Sequence, residues 1–144
     1  MQTFLPFEDF TATAATLDRA RLGKQRVETL QIAKCLAGVP SSWKNHPAVK
    51  MWVGTPSSLL RYQIAICKEW TEVRQYNDTC LEQTIELLTP IIGPSSDRPW
   101  WLGDEDFHLS HRANLRRKDP KHYADFEDLD LPYRWPTDQV GVWK

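Results

Sequence analysis

The run Leu17-Asp18-Arg19-Ala20-Arg21-Leu22-Gly23-Lys24-Gln25-Arg26-Val27-Glu28 continues into Thr29-Leu30-Gln31-Ile32-Ala33-Lys34-Cys35-Leu36-Ala37 and stops at Gly38, with Pro40 just beyond. Glycine after the last turn and proline soon after it are how helices end, so the stretch is predicted to be helical. Its first twelve residues carry four cations and two carboxylates, so one side has to pack and another has to present charge. At about 100° per residue, Arg21, Lys24 and Glu28 share a stripe at i, i+3 and i+7. Leu17, Ala20, Val27, Leu30 and Lys34 follow a neighbouring, mostly apolar stripe that is expected to face the core. Gly23 costs about 1 kcal/mol relative to alanine inside a helix, which implies close approach of another backbone or of a ligand. The charged stripe has two readings. It is either a site or a solvated surface on which Lys24 and Glu28 form an ordinary i, i+4 pair worth roughly 0.2–0.5 kcal/mol.

The remaining elements are also predicted to be helical. Met1 to Phe10 reads as an extended or irregular start, with Thr11 or Thr13 as the N-cap of the first helix. Ser41 to Pro47 is a loop, because Pro47 holds His46 extended, and Ala48 to Val53 is a short helix closed by Gly54. Pro56, Ser57 and Ser58 start a long helix on which Leu59, Tyr62, Ile66, Trp70 and Val73 keep helical spacing. Asp78 or Thr79 caps another helix through Leu81, Ile85 and Leu88, ended by Pro90, and Ile91 to Pro99 reads as a loop. A last helix runs through Phe107, Ser110, His111, Asn114 and Leu115 to about Lys118, and Leu131 to Pro136 lies extended on the body. With no repeat and no convincing strand, the fold class is mainly α: a single irregular helical domain over residues 1–144, with aromatic-rich loops filling gaps.

Composition bounds the function. A chain of 144 residues with 41% hydrophobic and 26% charged residues and seven tryptophans is globular and long enough for one core. No apolar run approaches the ~20 residues that span a bilayer, so a monomeric, cytoplasmic protein without a membrane partner is expected. Cys35, Cys67 and Cys80 form no CxxC pair or zinc spacing and read as reduced packing residues. The net charge of −1 argues against a uniformly basic nucleic-acid binder, but the charge is segregated. His108 to Tyr123 holds Arg112, Arg116, Arg117, Lys118 and Lys121 against Asp119 alone, while Asp125 to Asp130 holds four acids and no base. Such a basic segment suits phosphate oxygens, and exposed tryptophan or tyrosine rings nearby can stack on bases; otherwise it is a solvated helix face beside a neutralising neighbour. Nucleotide-cofactor, P-loop and common hydrolase motifs are absent. His108 and His111, at i, i+3, can share a metal with Asp104, which is the pattern a metal-dependent nuclease would need.

The opening Met1-Gln2-Thr3-Phe4-Leu5-Pro6-Phe7, the charged run from Leu17 to Glu28, Asn45-His46-Pro47-Ala48-Val49-Lys50-Met51-Trp52, Ser110 to Pro120 and Leu131-Pro132-Tyr133-Arg134-Trp135-Pro136 together resemble phage and bacterial proteins assigned to the pyrimidine dimer DNA glycosylase family. The resemblance implies an all-helical enzyme that draws a damaged or modified pyrimidine out of double-stranded DNA, cuts its glycosidic bond and nicks the strand by β-elimination, without metal or other cofactor. It implies that an N-terminal α-amine, here that of Met1, attacks C1′ with help from Glu28. A free α-amine ordinarily titrates near 8, against ~10.4 for lysine, so about a tenth is neutral at pH 7. Lys24, with Arg21 and Arg26 as neighbours, is the competing amine. Arg19, Arg21, Arg26, His46, His111, Arg112, Arg116, Arg117 and Lys121 are the expected DNA contacts, and Trp100 and Trp101 the rings expected at the gap left by a displaced base. A non-catalytic DNA-binding accessory protein is the competing reading, since the basic segment alone would suffice for it.

Overall fold

The computed structural model describes residues 1–94 and 97–144; residues 95 and 96, within the predicted 91–99 loop, lie outside the described residues. The chain is mainly α. Its helices are α1 (Phe10–Thr16), α2 (Arg19–Leu36), α3 (Pro47–Lys50), α4 (Pro56–Lys68), α5 (Cys80–Leu88) and α6 (Glu105–Lys118). A π-helical turn, Glu69–Val73, prolongs α4, and a 3₁₀ turn, Thr89–Ile91, prolongs α5. Among the described residues no strand forms, and the nearest thing to one is an isolated bridge between Pro136 and Trp143. No helix among them is long and apolar enough to cross a membrane.

Local chemistry fixes the helix starts. Asp9, not Thr11 or Thr13, caps α1 by accepting the Ala12 N–H at 3.0 Å. Thr13 is instead buried, with its hydroxyl shared between the backbone N–H and C=O of Phe7. The chain then breaks at Leu17, which is extended and fully buried, and Asp18 starts α2 by accepting the Arg21 N–H. α2 ends where Gly38 adopts φ +88° and the backbone N–H of Val39 returns to the Lys34 carbonyl, a left-handed cap that glycine adopts without a Cβ penalty.

Helices α2, α4 and α5 pack on one another, with α1 against α4 and α3 against α2. The predicted inward stripe holds at Leu17 and Leu30, which are buried, and fails at Ala20 and Val27. Ala20 and Val27 are exposed, whereas Leu22, Gln25, Thr29, Leu30, Ile32 and Ala33 are buried. The stripe is displaced because Gln25, polar by type, is buried in hydrogen bonds to the N-terminal segment, and Thr29 is buried with it as an acceptor of the Gln25 amide. Gly23 meets the Trp70 ring: a Cβ there would stand 2.9 Å from the ring's Cη2. The close approach is therefore to an aromatic side chain, carried in by the π-helical turn.

The core is centred on a chain of edge-on and tilted aromatic rings, from Phe10 through Tyr62 and Trp52 to Trp101 and Phe107. Each such pair adds about 0.5–1.5 kcal/mol beyond simple burial. Trp101 is fully buried and donates its indole N–H to the Met51 carbonyl at 2.8 Å. The N-terminal strap ties α6 to this core. His108 Nδ1 meets the Leu5 carbonyl at 2.8 Å, and His111 Nδ1 accepts the Leu5 N–H at 3.1 Å.

Candidate active site

Residues 1–5 form a strap whose Thr3, Phe4 and Leu5 are buried, and the backbone groups of Gln2, Phe4 and Leu5 meet side-chain partners there. Gln25 accepts the Phe4 N–H on its Oε1 and donates its amide to the Gln2 carbonyl and to Thr29 Oγ1, each at 3.0 Å. Thr3 donates its hydroxyl to the Ala48 carbonyl at 3.1 Å, and Tyr62 donates to the Phe4 carbonyl. These contacts fix the direction in which the chain leaves Thr3. They deliver the Met1 amine to one wall of an open cleft of about 500 Å³ lined by Met1, Gln2, Phe4, Ala20, Arg21, Lys24, Glu28 and Lys118.

Glu28 is the carboxylate of this cleft. Its Oε1 stands 3.9 Å from the Met1 amine and 3.7 Å from Lys24 Nζ. The two amines differ in how they are held. The Met1 side chain is 2% exposed and that of Lys24 74%, so the α-amine is fixed by its anchored strap while the lysine sits at the end of a solvated stem. A carboxylate at this distance can take a proton from either amine and return it to a reacting atom.

Lys118, the last residue of α6, closes the opposite wall. Its ammonium lies 5.2 Å from the centroid of the Phe4 ring and 5.6 Å from that of Tyr133. Burial lowers its pKa, and the charges of Arg21 and Lys24 lower it further. It was not among the expected site residues, yet the sequence contained a signal: Lys118 lies seven residues after His111 on one α6 stripe, and His111 faces the strap. Arg21 is held by Asp18 at 3.1 Å. Burial raises the Asp18 carboxyl, but hydrogen bonds from Tyr123 and Arg21 outweigh that and keep its pKa below the ordinary value. The cleft therefore gathers an α-amine, Arg21, Lys24 and Lys118 around Glu28, an excess of positive charge suited to a phosphate-bearing ligand.

His46 borders the same region. Its Nδ1 accepts the Ala48 N–H and caps α3. Burial lowers its pKa, as do the positive charges of the N-terminus and Lys144. Arg19 is exposed on α2, with its guanidinium 5.3 Å from the Tyr76 ring centroid, and Lys121 is exposed beyond α6.

Other expected contacts are engaged elsewhere. Arg26 turns away from Lys24 to pair with Asp78 and to lie 4.4 Å from the Trp70 ring centroid. His111 is fully buried, and burial drives its pKa down to about 3, so it is a neutral acceptor for the Leu5 N–H rather than a phosphate ligand. Arg112 is forked onto Glu127, pairs with Glu105 and donates to the Pro6 carbonyl. Arg116 donates to the carbonyls of Ala124 and Phe126, and Arg117 binds Asp130, Asn114 and the Leu131 carbonyl. The basic segment thus folds onto the acidic one that follows it, because opposite charges placed within a short loop's reach satisfy each other before any ligand arrives. Trp101 is core, and Trp100 packs edge-on against Trp143 at 5.0 Å. The metal-nuclease arrangement also lacks its ligands: His108 and His111 both spend Nδ1 on the Leu5 peptide, and among the described residues no three His, Cys, Asp or Glu side chains gather in a way that could hold an ion.

The family model described as pyrimidine dimer DNA glycosylase matches residues 1–84, more than half of the chain. That span contains the strap, α2 with Glu28, and the His46 turn. No curated protein and no solved structure matches the chain.

Proposed function

The chain belongs to the pyrimidine dimer DNA glycosylase family, and on that premise we propose that it excises a damaged or modified pyrimidine from double-stranded DNA through an imine formed on the Met1 α-amine, then nicks the strand as an abasic-site lyase. The observation that carries this reading is the pairing of an anchored α-amine with Glu28, 3.9 Å apart, in a cleft with a cationic rim. Neutral amine attacks C1′ of the target nucleotide, the C1′–N1 bond breaks, and its electron pair leaves with the base. Glu28 takes a proton from the bound amine and delivers it to O4′ as the sugar ring opens, which leaves a C1′=N iminium and returns Glu28 to its carboxylate form. That iminium acidifies the C2′ proton, which the carboxylate removes, and the 3′ C–O bond breaks with phosphate as leaving group. Arg21, Lys24 and Lys118 hold the flanking phosphates.

The accessory-protein reading rested on the basic segment of α6. With Arg112, Arg116 and Arg117 engaged by Glu127, Asp130 and backbone carbonyls, the basic segment favours that reading less than the cations gathered at the Glu28 cleft favour the enzyme. Duplex DNA carrying a cyclobutane pyrimidine dimer, treated with protein and borohydride, tests the proposal. Wild-type protein is expected to release the glycosidic bond and to be trapped covalently, while Glu28→Gln binds with similar affinity and cleaves ~10²-fold or more slowly. Equal cleavage by the variant removes Glu28 from the mechanism.

A further inference from the structure

Of the seven tryptophans, only Trp43 is exposed among the described residues, at 45%. It stands on the turn between α2 and α3, flanked by exposed Ser42, Lys44 and Asn45, and no packing need places it there. The turn is nevertheless well tied. The Trp43 N–H donates to Ser41 Oγ at 3.1 Å, the His46 N–H donates to the Trp43 carbonyl at 2.9 Å, and the indole stands edge-on to the His46 ring at 5.8 Å. His46 in turn accepts from Ala48, whose carbonyl receives the Thr3 hydroxyl. An unbroken set of short contacts therefore links the indole to the strap that carries the Met1 amine, and the amine's charge is felt at His46.

This arrangement bears on a requirement of the chemistry. The C1′ atom of a stacked nucleotide is enclosed by its neighbours, so an amine anchored in a cleft reaches it only when the nucleotide leaves the stack, and the resulting gap collapses unless something fills it. A flat, exposed aromatic ring tied through His46 and Ala48 to the strap that carries the nucleophile is suited to that gap, since every base offers a π face on which it can stack. Resting on the glycosylase reading above, we infer that the Trp43 indole is the wedge that enters the duplex beside the target and occupies the place of the nucleotide drawn toward Met1. The role expected of Trp100 and Trp101 thus falls to a residue on the turn between α2 and α3.

The test compares wild type, Trp43→Ala and Trp43→Phe on two duplexes, one with a pyrimidine dimer and one with an abasic site, and follows 2-aminopurine placed opposite the target. The turn is exposed, so folding is checked simply by the melting temperature. Trp43→Ala is expected to lose about tenfold or more in dimer excision and most of the 2-aminopurine fluorescence rise, while borohydride trapping on abasic DNA, where no base has to be displaced, stays within about threefold. Trp43→Phe is expected to recover part of the loss. Unchanged dimer excision and fluorescence in Trp43→Ala overturn the wedge, as does an equal loss on both duplexes. Failure of the glycosylase reading has a different appearance: the wild type forms no imine on either duplex. In that event a fluorescence rise that still depends on Trp43 upholds the wedge alone, and no rise overturns it as well.

Discussion

Replacing Gln25 with methionine removes three hydrogen bonds while keeping nearly the volume and shape of the side chain, and so separates the docking of the N-terminal strap from the packing of α2. Gln25 is 1% exposed. Its loss leaves the buried Phe4 N–H without an acceptor, which costs about 1–3 kcal/mol, and forfeits bonds to the Gln2 carbonyl and Thr29 Oγ1 worth about 0.5–1.5 kcal/mol each where they are not replaced by water. Methionine leaves little cavity, so a destabilisation of about 2–4 kcal/mol is expected. A chain of this length has about 5–15 kcal/mol to lose, so the variant stays mostly folded at room temperature. Urea unfolding measures the difference, with an unchanged denaturant slope as the sign that the folded state is intact. Single-turnover borohydride trapping on abasic DNA then reads the functional consequence in folded protein. An amine displaced by about 1 Å from Glu28 loses up to ~10²-fold in reactivity, so a drop of tenfold or more is expected, well beyond the unfolded fraction. A loss of stability below about 0.5 kcal/mol, or trapping at the wild-type rate, refutes the claim that Gln25 places the amine.

Salt dependence distinguishes the two cationic regions: Lys24→Ala and Lys118→Ala are each expected to flatten the slope of log K against log salt by ~0.9, and Arg117→Ala, whose guanidinium is spent on Asp130 and Leu131, to leave it unchanged; the reverse pattern would place the DNA on α6. Acid stability follows from the buried imidazoles. Burial holds His111 near 3 and lowers His108 as well, while both return to about 6.5 when unfolded. The unfolded chain therefore binds more protons below pH 6.5, and stability falls as pH drops from there towards 3, by about 1.4 kcal/mol per pH unit for His111, with His108 adding to the loss in the same direction. His111→Asn keeps an acceptor for Leu5 and is expected to remove about one such increment between about pH 4 and 6, above the range where Asp18 and Asp78 titrate. An unchanged slope in that window contradicts the neutral assignment of His111.

The end of α2 and the start of α4 were legible because Gly38 and Pro56 act within one turn of chain, whereas Asp9, Asp18 and Asp104, which cap α1, α2 and α6, do not stand out among the other carboxylates of the sequence. The inward face of α2 was not legible, because Gln25 is buried by virtue of partners over twenty residues away, in a strap that has no periodicity of its own, and Thr29 is buried with it as an acceptor of its amide. Glu28, Lys24 and Arg21 were legible as a stripe and do meet at one cleft. Lys118 was hidden in a run of cations whose members have opposite fates, since only the α6 stripe shared with His111 faces the strap. Arg112, Arg116 and Arg117 resembled a phosphate-binding patch because local charge counts do not reveal that the chain doubles back and sets its acids against its bases. The tryptophans illustrate the same limit. Trp101 and Trp43 are equal in type, and only the tertiary packing makes one a core residue and the other an exposed ring.

The residue on which the imine forms can be identified chemically. After borohydride reduction on abasic DNA and nuclease trimming, peptide mass spectrometry locates the sugar remnant. The remnant is expected on the α-amine of Met1, with Lys24 and Lys118 unmodified; a remnant on either lysine, or no adduct at all, refutes attack by the Met1 amine.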